Sequence, residues 1–395
     1  MKRSEIEKSS TNESIFSKRI SPLPSVGRND TTTMRLYIKI LYLFLTLMLL
    51  FSCSTQRSTS VPFSAEIEDG TLMITNKNIR KIDKKLLASD SLRTVIIEQC
   101  GLRRIKFPKG NKIESIKLFN NNFKRVPPSI RYCKNLEHLD LEHNQIRHIP
   151  RFIANLDSLK SLDLNHNRLK LSESDVKHAS KVKKLSIGGN NIEKLPENIG
   201  ILQCTNLNLG KNKLSSLPTS FSDLKQLKHV IFYENEFERV PEEIEALDSL
   251  EHLDFYKNKL SEIPDFIGNF KNLKYLYLSY NEIETIPDTL SYLRNLKYFY
   301  IHHNKIITLP NWIVELDSLE RLGVGYNKLI SMPDFSEMPS LIDLNCEGNL
   351  LEEFPWKLVF KPRMQMLIVR DNMFELSEEE IEFLSQPREY PLIVF

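Results

Sequence analysis

The sequence predicts an α/β solenoid of about fourteen turns, with a parallel sheet along its inner side and short helical or 3-10 segments along its outer side. Three observations carry this. Asparagine recurs at 121, 144, 167, 190, 212, 235, 258, 281, 304, 327, 349 and 372, so the numbering advances by 22 or 23 at every step. A fixed period in that range marks a coil of stacked, near-identical units. Before each asparagine the chain alternates, as in Leu136-Glu-His-Leu139-Asp-Leu141, the period of a strand with one buried face. After it, proline returns at 127, 150, 196, 218, 241, 264, 287, 310, 333 and 355, where a helical turn would begin.

Residues 1–33 are rich in Ser, Thr, Asn and charge, without apolar periodicity, and read as a disordered leader or as sequence upstream of a true start at Met34. Residues 34–52 read as a signal peptide. A basic flank leads into the run from Ile40 to Phe51, apolar except for Thr46. At ~1.5 Å per residue it covers roughly 18 Å of helix, too little for a hydrocarbon core of ~30 Å. Residues 53–60 form a short polar tether, and 61–71 are expected to cap the first turn.

Residues 72–376 hold the repeats. Two turns precede the asparagine series. In one Lys77 takes the asparagine slot, and in the other Cys100 does. After Asn167 the usual Leu-Pro is missing, and Ser172 is placed to cap a more regular helix. Residues 377–395 hold a terminal helix and a tail, with Ser377 and Glu380 spaced as a capping box; the helix is expected to seal the last open edge of the core. The cysteines at 53, 100, 133, 204 and 346 lack close spacing and fall in different turns, so the repeat cysteines read as buried thiols rather than disulfides.

The formal net charge of +3 comes from residues 1–39; from Cys53 on, 46 basic face 47 acidic residues. That balance gives no electrostatic case for nucleic acid. No phosphate loop, nucleophile elbow, HExxH or GxGxxG occurs, and nothing outside the repeats is large enough for a catalytic domain. The expectation is a non-enzyme without catalytic residues, metal or cofactor.

Two groups on the inner face still need weighing. His138, Asp140, Glu142 and His143 in one turn, and Asp163, Asn165 and His166 in the next, are divalent-metal ligand types, although exposed strand positions are commonly polar. The other group is aromatic. Of 13 tyrosines, eight fall on outward positions of five consecutive inner strands: Tyr233, Tyr256, Tyr275, Tyr277, Tyr280, Tyr298, Tyr300 and Tyr326, with His302 and His303 among them. Tyrosine offers rigid contact area with a hydrogen-bonding tip, so the cluster reads as partner-binding; mutual stacking along the sheet is the alternative.

Residues 72–376 resemble the leucine-rich repeat family in its 23-residue form, LxxLxLxxNxLxxLPxxIxxL, with Leu273, Leu276, Leu278, Asn281, Ile283, Ile286 and Pro287 filling the slots of one turn. The resemblance implies a right-handed horseshoe that binds proteins on its concave face and rarely catalyses anything. Leu50-Phe51-Ser52-Cys53 resembles the lipobox of bacterial lipoproteins, which implies acylation at Cys53, although Phe51 departs from the small residue usual there. Together the two imply a lipoprotein of the bacterial cell envelope, lipid-anchored at the outer membrane and engaging a protein partner. A glycan stacked on the same tyrosines is the alternative ligand.

Overall fold

The computed structural model describes residues 66–79, 81–386 and 391–395. The signal peptide, the tether and Cys53 lie outside the described residues. One 16-stranded sheet runs through the described residues with its strands in chain order. The first pair, Ile67–Glu68 on Thr71–Thr75, is antiparallel, and the rest are parallel. From Thr71–Thr75 to Met366–Ile368 there is one strand per turn, fourteen in all.

Register follows from the period. Advancing one repeat brings Leu253 beside Leu276, Leu276 beside Phe299 and Phe299 beside Leu322. Each apolar strand residue therefore packs on its equivalent, and the leucine, isoleucine and phenylalanine slots fuse into one continuous core. Cys100, Cys133, Cys204 and Cys346 are all buried free thiols within it. Burial pushes the thiols of Cys133, Cys204 and Cys346 up to about 12, which keeps them unreactive.

The asparagines bind the turns together. The Asn281 amide donates to Phe255 O and Leu278 O, both at 2.9 Å, and its Oδ1 accepts from Leu260 N at 2.9 Å. Asn144, Asn235 and Asn304 repeat this pattern. A short amide thus satisfies backbone groups at a bend where the ladder cannot reach. In the Cys100 turn a thiol fills the slot, with Sγ 3.1 Å from Glu98 O.

The residue before each slot adopts positive φ, from Asn76 and Gln99 through His143, Tyr280, His303 and Tyr326 to Asp371, with glycine at 189 and 348. Nothing in the residue types announces this, since histidine, tyrosine and lysine occupy a conformation that L-residues enter reluctantly. The cross-turn bonds on either side hold it: Tyr280 N donates to His302 O, and His303 N to Gly325 O.

The outer side is a series of short 3-10 helices, such as Asp265–Asn269 after Pro264 and Asp288–Tyr292 after Pro287. After Asn167 an α-helix, Glu173–Ala179, replaces them, capped by Ser172. Asp175 closes that capping box and also accepts from Ile149 N of the preceding turn at 2.6 Å, so one buried carboxylate ties the irregular turn to its neighbour. The far end adds an element that the repeat pattern does not announce. The helix Glu378–Ser385 does not finish the sheet; the tail strand Leu392–Val394 does, pairing in parallel with Met366–Ile368.

Candidate functional site

Four of the ten predicted ring residues stand on strands, Tyr275 and Tyr277 beside Tyr298 and Tyr300. Tyr233, Tyr256 and His302 follow their strands. Tyr280, His303 and Tyr326 do not lie on strands at all but in the left-handed turn position, and this lifts the Tyr280 and Tyr326 rings to 40% and 37% exposure.

Nine of the ten form one network. Tyr280, His303 and Tyr326 stack as a column with centroids 4.0 and 4.2 Å apart and planes within 21°. Tyr256 meets Tyr280 edge-on at 5.2 Å. On the strands Tyr277 stacks on Tyr300 at 5.3 Å, and Tyr275 meets Tyr298 edge-on at 5.1 Å. His302 joins the two halves, lying 5.8 Å from Tyr280 and 6.2 Å from Tyr300. Tyr233 stands apart, with its ring over Gly210 and Lys211 beside it.

Glycines make the room. A Cβ on Gly323 would meet Tyr300 at 2.7 Å, and one on Gly348 would meet Tyr326 at 2.5 Å, so each column ends on a ring lying flat over the next turn. Three members were not singled out in the sequence. His252 packs 5.0 Å from Tyr277, His229 packs 5.8 Å from His252, and the Arg321 guanidinium lies over Tyr298 at 5.1 Å. A signal existed, because His252 and Arg321 occupy the strand position of Tyr275 one repeat before and two repeats after it.

The patch is low in charge and short of partners. Burial holds the imidazoles of His252 and His302 down to about 4, leaving both neutral near pH 7. Among the described residues four buried side-chain polar atoms lack a hydrogen bond, and three of them belong to this patch: His252 Nε2, Ser279 Oγ and Arg321 Nε. Buried polar atoms in folded proteins are nearly always paired, so three unpaired ones within one patch are unusual.

The polar group lies nearer the N-terminal end. Asp140 pairs opposite Asp163, and His143 stacks on His166 with centroids 4.3 Å apart. Donor atoms of Asp140, Glu142 and Asp163, and likewise of Glu142, His143 and His166, come within 4.8 Å of one another, so these are the residues that could hold a metal. Burial, reinforced by the carboxylates of Asp140 and Glu142, pushes Asp163 up to about 7 despite the bond it accepts from Asn165 N. Its folded-state value thus lies above that of a free carboxyl, near ~4. The stability it contributes is present below the free value and is lost as pH rises through about 7. Asp163→Asn, neutral throughout, is expected to gain on the parent by roughly 1–2 kcal/mol between pH 5 and pH 8, after allowance for solvent screening. Urea midpoints of both proteins at the two pH values check this, and parallel pH profiles would refute it.

A leucine rich repeat family model matches residues 111–169, 249–306 and 271–329, within a sheet that carries one strand and one asparagine slot per turn. The chain is a leucine-rich repeat protein. No curated protein matches its sequence. Among solved structures, this repeat protein is similar to the Leptospira interrogans leucine-rich repeat protein LIC12759, at 25% identity over 83% of this chain and 96% of the other, with a TM-score of 0.64. It is also similar to an internalin, inlF, of Listeria monocytogenes (18% identity, 75% of this chain and 90% of that one, TM-score 0.52). The PEPR1–AtPEP1 structure aligns at 23% identity over 79% of this chain and 50% of the other, with a TM-score of 0.54. The repeat fold is that of a protein-interaction scaffold, and nothing in the chain indicates catalysis.

Proposed function

We propose that this leucine-rich repeat protein binds a protein partner through the inner-face ring network from Tyr256 to Tyr326, and that it does so tethered to the bacterial envelope through an acylated Cys53. The observation that carries the binding site is the coincidence of nine networked rings with three of the four unsatisfied buried polar atoms among the described residues. Rigid rings that have already lost their conformational freedom to one another supply contact area at little further entropic cost. Neutral His252 and His302 offer a donor and an acceptor each, suited to backbone amides of an extended segment.

Affinity capture with the full chain tests the site: a protein retained by the parent and lost when Tyr277 and Tyr300 are both serine supports it, and retention by both sinks it. The tether rests on Leu50-Phe51-Ser52-Cys53 behind a short apolar run. Acyl chains add ~0.8 kcal/mol per buried CH₂, and more than one is needed for firm anchorage at the outer membrane. Among the described residues no helix is long and apolar enough to cross a membrane. Cys53→Ala is expected to move the protein from the detergent phase to the aqueous phase on Triton partitioning; detergent partitioning that survives the substitution would overturn the anchor.

A further inference from the structure

We propose that a cavity on the flank of the first repeats binds a narrow, linear polyanion bearing sulfate or phosphate oxyanions, of the anionic polysaccharide class. The site is independent of the ring network. The near-neutral balance of the chain is an average over segregated regions: residues 101–135 hold ten Lys/Arg against a single acidic residue, Glu114. Six of the ten, Arg103, Arg104, Lys106, Lys124, Arg125 and Arg131, line one cavity of about 970 Å³ with no carboxylate in its wall.

Repeat geometry orders these cations. Arg103, Lys124, Arg147 and Lys170 each stand three residues after the asparagine slot of successive turns, and Arg104 and Arg125 stand four after it. Stacked turns rise by ~4.8 Å, so equivalent cations form columns along the solenoid axis at about that spacing. All of these residues except Lys106 and Arg131 belong to the columns, and all are exposed. The same column then changes sign, with Glu193, Glu238 and Glu284 three residues after Asn190, Asn235 and Asn281.

Elsewhere several lysines are paired, as in Lys228 and Lys274 on Glu251, or Lys297 on Glu320. None of the six cavity cations makes an ion pair with any described residue. Like charges lined up at ~5 Å repel, and only a partner with closely spaced negative charge relieves all of them together. The arginine forks match sulfate and phosphate oxygens in a bidentate way.

The shape selects among polyanions. Columns one or two residues wide, recessed in a cavity, suit a thin chain better than a flat bilayer. The ring of Tyr132 in the wall has Lys109 and Arg131 over it at 5.6 and 5.7 Å.

The test uses the full chain and heparin oligosaccharide as probe, by titration at ~0.15 M salt. Replacing Arg103, Arg104 and Arg125 together with serine is expected to weaken binding at least tenfold and to flatten its salt dependence, because fewer counterions are released. Replacing the exposed Lys177, Lys194 and Lys328 with serine, a loss of equal charge elsewhere, should change it less than twofold. Matching thermal melts establish that both variants fold, and Tyr277→Ser should leave heparin binding unchanged. Equal losses in the two triple variants, or no binding by the parent, overturn the site. Tighter binding of the parent to anionic phospholipid vesicles or to duplex DNA than to heparin at the same salt overturns the polysaccharide assignment.

Discussion

Replacing Tyr277 and Tyr300 together with serine is expected to weaken partner binding by about 2–4 kcal/mol, or roughly 30- to 1000-fold in Kd, while changing folding stability far less. The two rings stack on each other at 5.3 Å in the middle of the network, and Tyr277 also meets His252. Central rings of a packed patch carry most of an interface's energy, because their contacts are the ones fully shielded from water when the partner arrives. In the free protein both rings face solvent on one side, so their loss removes little core. Surface plasmon resonance with the captured partner reads the affinity, and a urea titration reads the stability. A variant that binds within twofold of the parent would move the site away from these strands. Tyr233 supplies the internal control: standing outside the network, its replacement should cost less than about 1 kcal/mol in binding.

The other large effect concerns the fold. Asn281→Ala should lower the unfolding free energy by about 2–4 kcal/mol, read from the urea midpoint. The substitution removes the acceptor of Leu260 N, which is left buried and unpaired. The carbonyls fare better. Leu278 O still receives the amide of Asn304 at 3.0 Å, and Phe255 O keeps that of Asn258 at 3.2 Å. Each of these carbonyls is bonded by two asparagines, its own turn's and the next, and this sharing makes the asparagines a continuous ladder rather than separate clips. Asn372 in the last asparagine turn is less buried, and its alanine variant should lose about half as much. A change below about 0.5 kcal/mol at Asn281 would mean that water replaces the amide, contrary to the burial observed.

The period made these asparagines visible in the sequence, because a residue needed once per turn must recur at the length of a turn. Much of the ring patch was visible for the same reason: positions one repeat apart become neighbours when the turns stack, so Tyr275 had to meet Tyr298, and Tyr277 had to meet Tyr300. Other contacts were not legible. Tyr280 and Tyr326 read as strand residues, yet they sit in a left-handed turn, and that conformation turns their rings into a column with His303. Tyr233 had the right residue type and spacing but leans over Gly210, away from the cluster. The basic segment at 101–135 was legible in composition, and it was hidden by taking the charge over the whole chain.

What the sequence by itself determined is the coil: strand, asparagine slot and return segment, fourteen times over. Periodic requirements of burial and bonding leave periodic marks. Only the tertiary structure decided that Tyr280, His303 and Tyr326 form a column apart from Tyr233, which cations line one cavity, and that the tail strand Leu392–Val394 finishes the sheet. Those outcomes depend on tilt, on the space left by glycines such as Gly323 and Gly348, and on cross-turn hydrogen bonds, none of which a residue's identity specifies before its neighbours are in place.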